Sequence, residues 1–156
     1  MSERMRLSRF DYLGIAVKAG LSGALIQTAE EGPFGDRTAL ATRPDDPLVQ
    51  EWKANVLTQL SGKAESGDLQ TLGYLWIHEL MGDRLIAKDQ ALAYRYAVAR
   101  GLIARELRGA DDIEAKMFAP ESQEVKAMVD LTPEQRAAEL VAAQRIADKA
   151  RERRQH

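Results

Sequence analysis

The sequence predicts an all-α protein of antiparallel helix pairs arranged in series. Three observations carry this expectation. Aromatic residues are 6% of the 156 residues, whereas the helix formers Ala, Leu, Glu, Gln and Arg are abundant. Apolar residues recur at three- and four-residue spacing over long windows. Gly, Pro and Asp fall between those windows, where helix ends need them. With 45% hydrophobic residues, 29% charged residues and a net charge of −2, the chain has ordinary globular composition and no electrostatic footprint for nucleic acid. A single domain over residues 1–156 is expected, with an N-terminal helical segment (1–31), a loop (32–47), a helical core (48–107) and C-terminal helices (110–156).

The first helix starts near Ser8, where Ser8 and Asp11 approximate a capping box. Leu13, Ala16 and Val17, then Leu21, Leu25 and Ile26, follow at helical spacing; Gly20 interrupts the run, Ser22 can cap a second short helix, and Gly32-Pro33 ends it. The stretch from Tyr12 to Ile26 contains Lys18, Gly20 and Gly23, too short and too interrupted to cross a membrane. Arg4, Arg6 and Arg9 resemble the basic start of a signal peptide, but Asp11 and Lys18 argue against one. A cytoplasmic location is expected, or a periplasmic one if a processed export signal is missing from this chain. Absence of cysteine excludes disulfides and thiolate chemistry.

Residues 32–47 read as a loop without periodicity, punctuated by Gly32, Pro33, Gly35, Pro44 and Pro47. A helix then starts with Asp46 as cap and Pro47 in the first position, where its missing N–H is no loss. Leu48, Trp52, Val56 and Leu60, with Val49 and Leu57 beside them, predict one buried stripe. Gly67 closes this helix and Asp68 caps the next at once. The following helix runs to about Met81, with Gly82 closing it. Asp89 caps a further helix through Ala91, Ala93, Tyr94, Tyr96, Ala97 and Ala99, continuing past Gly101 through Leu102, Ile103 and Leu107 to Gly109. Residues 111–130 predict one or two short helices broken at Pro120. Thr132 and Gln135 form a capping box around Pro133 and start the last helix. Ala137, Leu140, Val141, Gln144, Ala147 and Ala150 mark its expected face, and Arg151, Arg153 and Arg154 form a solvated, dipole-stabilised end.

Residues 64–101 resemble one unit of the Sel1-like repeat, a relative of the tetratricopeptide repeat. The matching residues are Ala64, Gly67-Asp68, Gly82, Lys88-Asp89, Ala93, Tyr96, Ala97, Ala99 and Gly101. The family places Leu-Gly within its first helix; overall spacing puts Leu75-Trp76 there, and a shifted register uses Leu72-Gly73 instead. Leu131 to Gln135, followed by an alanine-rich helix with Ala143-Gln144-Arg145, resembles the helix that closes such proteins. The resemblance implies a short solenoid with a C-terminal capping helix that binds another protein through a helical surface. Bacterial members include adaptors, regulators and toxin-neutralising proteins, so the expected function is a protein-binding adaptor or, alternatively, an immunity protein that occludes a toxin or enzyme.

Catalytic motifs are missing. His78-Glu79 has no HExxH pattern and no second internal histidine to complete a metal site. The acidic pairs Glu30-Glu31, Asp45-Asp46 and Asp111-Asp112 adjoin turns, where capping explains them. There is no G-x-S-x-G elbow, and residues 32–36 lack the lysine of a P-loop. No enzyme activity, cofactor or metal is expected. Tyr74 lies two positions from Trp76, so the two cannot share one helix face. Trp76 and Tyr96 are expected to pack in the core. The expected partner-binding residues are Tyr74 and His78, four apart on one face, with Arg84 as a charged rim contact.

Overall fold

The computed structural model describes residues 22–155, and every described element is helical. The elements are α1 (Ser22–Glu31), a 3₁₀ turn (Pro33–Gly35), α2 (Ala39–Thr42), α3 (Pro47–Glu65), α4 (Leu69–Met81), α5 (Gln90–Arg108), α6 (Ile113–Met117), α7 (Gln123–Met128) and α8 (Pro133–Gln155). The expected helix start at Ser8 lies outside the described residues. The described residues group into two units that divide between Gly62 and Lys63.

In the first unit the expected loop after Gly32 holds two short elements, the 3₁₀ turn and α2. Single turns carry no apolar period, so the pattern gave no sign of them. Asp36 organises the stretch: its carboxylate accepts from the Thr38 N–H at 2.9 Å, the Thr38 hydroxyl at 2.6 Å and Arg43 at 3.3 Å. Asp46 accepts from the Leu48 N–H at 2.9 Å, so the acid before Pro47 opens α3 as expected. The buried stripe of α3 follows the expected one except at Leu48, and Ala64 extends it. Val49, Val56, Leu60 and Ala64 are buried, Trp52 and Leu57 are half-buried, and Leu48 is exposed. Leu48 and Val49 fit the apolar spacing equally well; only the packing distinguishes them.

The second unit is built around α5. Helices α4, α6, α7 and α8 all pack against it. Its residues Ala93, Tyr94, Tyr96, Ala97, Val98, Ala99, Gly101, Ile103 and Ala104 are buried, so the middle turns are enclosed on all sides as a core helix is, while the last turn, 105–108, is exposed. Small residues let the neighbours approach. A Cβ at Gly101 would stand 2.8 Å from the Phe118 Cβ and 3.0 Å from its carbonyl oxygen. Trp76 packs edge-on against Phe118, with ring centroids 5.2 Å apart.

Helix ends follow the local chemistry. Asp68 N–H donates to the Lys63 carbonyl and Gly67 N–H to that of Ala64, the paired bonds of a Schellman turn, with Gly67 at φ 90°. The Asp68 carboxylate then accepts from the Thr71 N–H at 3.0 Å and its hydroxyl at 2.6 Å. Asp89, Asp112 and Ser122 cap α5, α6 and α7 in the same way. Thr132 and Gln135 form the reciprocal box: Gln135 N–H donates to the Thr132 hydroxyl and Thr132 N–H to the Gln135 side chain.

The α8 face agrees with the expected one at Ala147 and Ala150 and differs over the preceding turns. Ala143, Ile146, Ala147 and Ala150 are buried, Leu140 is half-buried, while Ala137, Val141 and Gln144 are exposed. An alanine-rich helix has weak amphipathicity, so its period does not fix the inward face. The basic end is also tied down more than a solvated run would be. Arg151 and Arg154 pair with Glu106, and Arg153 donates to the Ser66 carbonyl at 3.2 Å and hydroxyl at 3.0 Å. Arg95 on α5 joins Glu139 at 2.6 Å and Glu65 at 3.0 Å. Solvent-screened ion pairs add little to stability, whereas full burial of a side chain such as Leu72 or Leu75 contributes about 1.5–3 kcal/mol. Apolar packing therefore outweighs the ion pairs in holding this unit together.

Candidate functional site on the outer face of α4

Helix α4 carries two apolar stripes. The inward one is Leu72, Leu75 and the hydroxyl-bonded Thr71, with Glu79 one turn further on; all are buried. Trp76 is covered on one edge by Phe118. Gly73 is covered by Arg100: a Cβ there would fall inside the Arg100 guanidinium, whose Nη2 is 2.8 Å from Glu114.

The second stripe is Tyr74, Ile77, His78 and Met81, at helical offsets of three, four and seven from Tyr74. Tyr74 and His78 are partly exposed, Ile77 is 48% exposed and Met81 is 73% exposed. Two large aliphatic side chains beside two rings on one helix side form a small apolar surface. The rings of Tyr74 and His78 have centroids 4.1 Å apart, tilted by 34°.

The loop after α4 fixes the end of this stripe. Asp83 Oδ1 accepts from the Leu85 N–H at 2.8 Å and the Ile86 N–H at 2.7 Å, which folds the loop back and buries Leu85 and Ile86. The other oxygen, Oδ2, lies 2.8 Å from His78 Nδ1. Burial alone would raise the Asp83 carboxyl, but the Ile86 N–H, His78 and the Leu85 N–H outweigh it and hold the group below the usual carboxylate range. An ionised Asp83 requires a proton on His78 Nδ1, which orients the ring and leaves Nε2 as its other polar atom. Arg84 and Lys88 are exposed in the same loop. Lys88 stands beside the helix end, since a Cβ at Gly82 would be 2.9 Å from the Lys88 Cβ.

Of the residues expected from sequence, the structure brings Tyr74 and His78 into ring contact and places Arg84 one residue beyond the carboxylate that holds His78. Sequence reasoning missed Ile77 and Met81. The signal was present, since both fall on the Tyr74 face, but large apolar residues read by default as core.

Comparison with known protein families, curated proteins and solved structures finds no match to this chain.

The face offers exposed apolar side chains beside a histidine, and the loop after α4 carries the exposed cations Arg84 and Lys88. Among the described residues no cluster of three or more histidine, aspartate or glutamate side chains is placed to hold a metal ion, and no helix is long and apolar enough to cross a membrane. Of the acidic pairs, Asp46 and Asp112 cap helices, and Glu31 accepts from the Gln27 side chain at 3.3 Å along α1.

Proposed function

We propose that this chain is a non-catalytic protein-binding module and that the α4 face formed by Tyr74, Ile77, His78 and Met81 docks a partner protein. The observation that carries the reading is the exposure of Ile77 and Met81 on the side of α4 that already holds two ring side chains. Leaving both in water forgoes about 25 cal/mol for each Å² that burial would remove, so a partner that covers them gains that free energy. Tyrosine is a favoured anchor at such surfaces because it combines a large apolar ring with a polar tip. Exposed Arg84 and Lys88 at the end of the stripe favour a partner with acidic residues flanking its apolar anchor.

In this reading α4 and α5 form one antiparallel unit of the Sel1-like type. The Gly67-Asp68 turn, the Gly82 closure and the Asp89 cap are the features that support it. Helix α8 acts as the closing helix, started by its capping box. The test is a titration of an isolated partner against the wild-type chain and against the variants Tyr74→Ala, His78→Ala and Met81→Ser, after circular dichroism shows that each is folded. Loss of affinity in the variants supports the α4 face. Unchanged affinity in all three moves the interface elsewhere on the chain.

A further inference from the structure

Glu79 sits in the last turn of α4 with only 9% of its surface exposed. Its surroundings disfavour a negative charge from several directions. The residue belongs to the C-terminal turn of α4, where the helix dipole favours cations over anions. Asp83 and Asp89, which begin and end the loop after α4, both repel it. The cation acting on it is Arg95 of α5, whose Nε and Nη1 are already engaged by Glu139 at 2.6 Å and Glu65 at 3.0 Å. Tyr96 of α5 also faces the group, and its hydroxyl donates to Glu65 at 3.3 Å. His78, next in sequence, is directed to Asp83. Arg84 and Lys88 of the loop are exposed. A buried carboxylate so placed pays the desolvation cost with little compensation, whereas a neutral carboxyl does not.

The loop that carries the repelling charges is also tied to this residue. The Asp89 N–H donates to the Glu79 carbonyl at 2.7 Å, and the Gly82 N–H donates to the His78 carbonyl at 2.7 Å. We propose that Glu79 is a proton-operated latch: when protonated it lets the Gly82–Asp89 loop close on the end of α4, and when ionised its charge works against Asp83 and Asp89 and loosens that loop. Burial first, then Asp89 and Asp83, push its pKa from 4.5 up to about 7, with Arg95 opposing. The sign follows from this rise. Below about pH 4.5 the group is protonated both folded and unfolded, so it contributes no difference. Between about 4.5 and 7 only the folded state holds the proton, and folded stability falls as pH rises; above about 7 the whole penalty is felt. The loop bears Asp83, which orients His78, so opening it also releases one side chain of the docking face. That coupling rests on the docking reading; the latch does not.

The experiment is carbon-detected NMR of the glutamate carboxyls in the full chain, assigned through bonds, together with amide exchange at Leu85 and Ile86. The expected result is a Glu79 carboxyl that titrates near neutral pH. After correction for intrinsic rates, the Leu85 and Ile86 amides should also exchange at least about tenfold faster on the alkaline side, a factor that corresponds to one unit of pKa shift. In Glu79→Gln that pH dependence should vanish. A Glu79 that titrates with the exposed glutamates overturns the proposal, as does a variant that keeps the wild-type pH dependence of exchange. If Glu79→Gln does not fold, the wild-type titration and exchange decide the matter alone. Loss of partner affinity without any loop response would count against the latch while leaving the docking face intact.

Discussion

The guanidinium of Arg100 lies against the backbone of Gly73, in the space a Cβ would take, and from there it reaches Glu114 on α6. A glycine on α4 thus makes room for an ion pair between α5 and α6. At Gly101, by contrast, the neighbour is the Cβ and carbonyl of Phe118. The two glycines therefore predict different outcomes on substitution. In Gly73→Ala the flexible end of Arg100 must move, which weakens its pairing, while alanine gains about 1 kcal/mol of helix propensity. The two effects offset, and urea denaturation should place the variant within about 1 kcal/mol of wild type. In Gly101→Ala the same propensity gain applies, but the backbone near Phe118 must shift, and this overpacking should leave the variant about 1–3 kcal/mol less stable. Equal effects at both positions would contradict the packing described.

Ala93 is 2% exposed on α5, so Ala93→Leu must overpack the centre of the second unit. A loss of about 1–3 kcal/mol is expected from the denaturation midpoint. A midpoint at the wild-type value would show that α5 is not enclosed here.

The Thr132 hydroxyl accepts the Gln135 N–H at 3.1 Å and opens α8. Thr132→Ala should cost about 1 kcal/mol, and Thr132→Ser should recover most of it because the oxygen is restored. Failure of serine to rescue would assign the cost to something other than the cap.

Glu106 accepts from Arg151 and Arg154, and the Arg151 hydrogen bond is the main reason its carboxyl lies below the ordinary range; burial opposes this and Arg154 adds to it. A lowered carboxyl contributes stability that is fully present above its unfolded value, near 4.5, and is lost as pH falls through the lower folded one. The last turns of α8 should therefore lose amide protection on acidification, and Glu106→Gln should show that loss already at neutral pH. This trend is opposite in sign to that of Glu79. Protection that is unaffected by the substitution would mean that apolar burial of Ile146 and Ala150 alone holds the helix end.

What the sequence revealed was what is local. Gly67-Asp68, Gly82, Asp89, Gly109 and the Thr132–Gln135 box were legible because capping depends on neighbours within a turn or two. The inward face was legible only where large apolar residues repeat strictly. On α3 the choice between Leu48 and Val49, and on α8 the choice between Val141 and Ala143, depends on which helices arrive from elsewhere in the chain. Long-range ion pairs were illegible for the same reason: Arg95 meets partners 30 and 44 residues away. At the candidate site the Tyr74–His78 pairing followed from four-residue spacing. The exposure of Ile77 and Met81 did not, since hydrophobicity alone does not say which apolar residues are left uncovered. Nor did the burial of Glu79, which only the fold around α5 creates.

The most direct test of the proposed docking face is site-specific photocrosslinking in the source cells. A photoreactive phenylalanine analogue is placed singly at Ile77 and Met81, and at exposed Gln144 on α8 as a control. A discrete crosslink to one other protein is expected from positions 77 and 81 and none from 144. Absence of a discrete product at 77 and 81, the same product from 144, or crosslinks only between copies of this chain would contradict it.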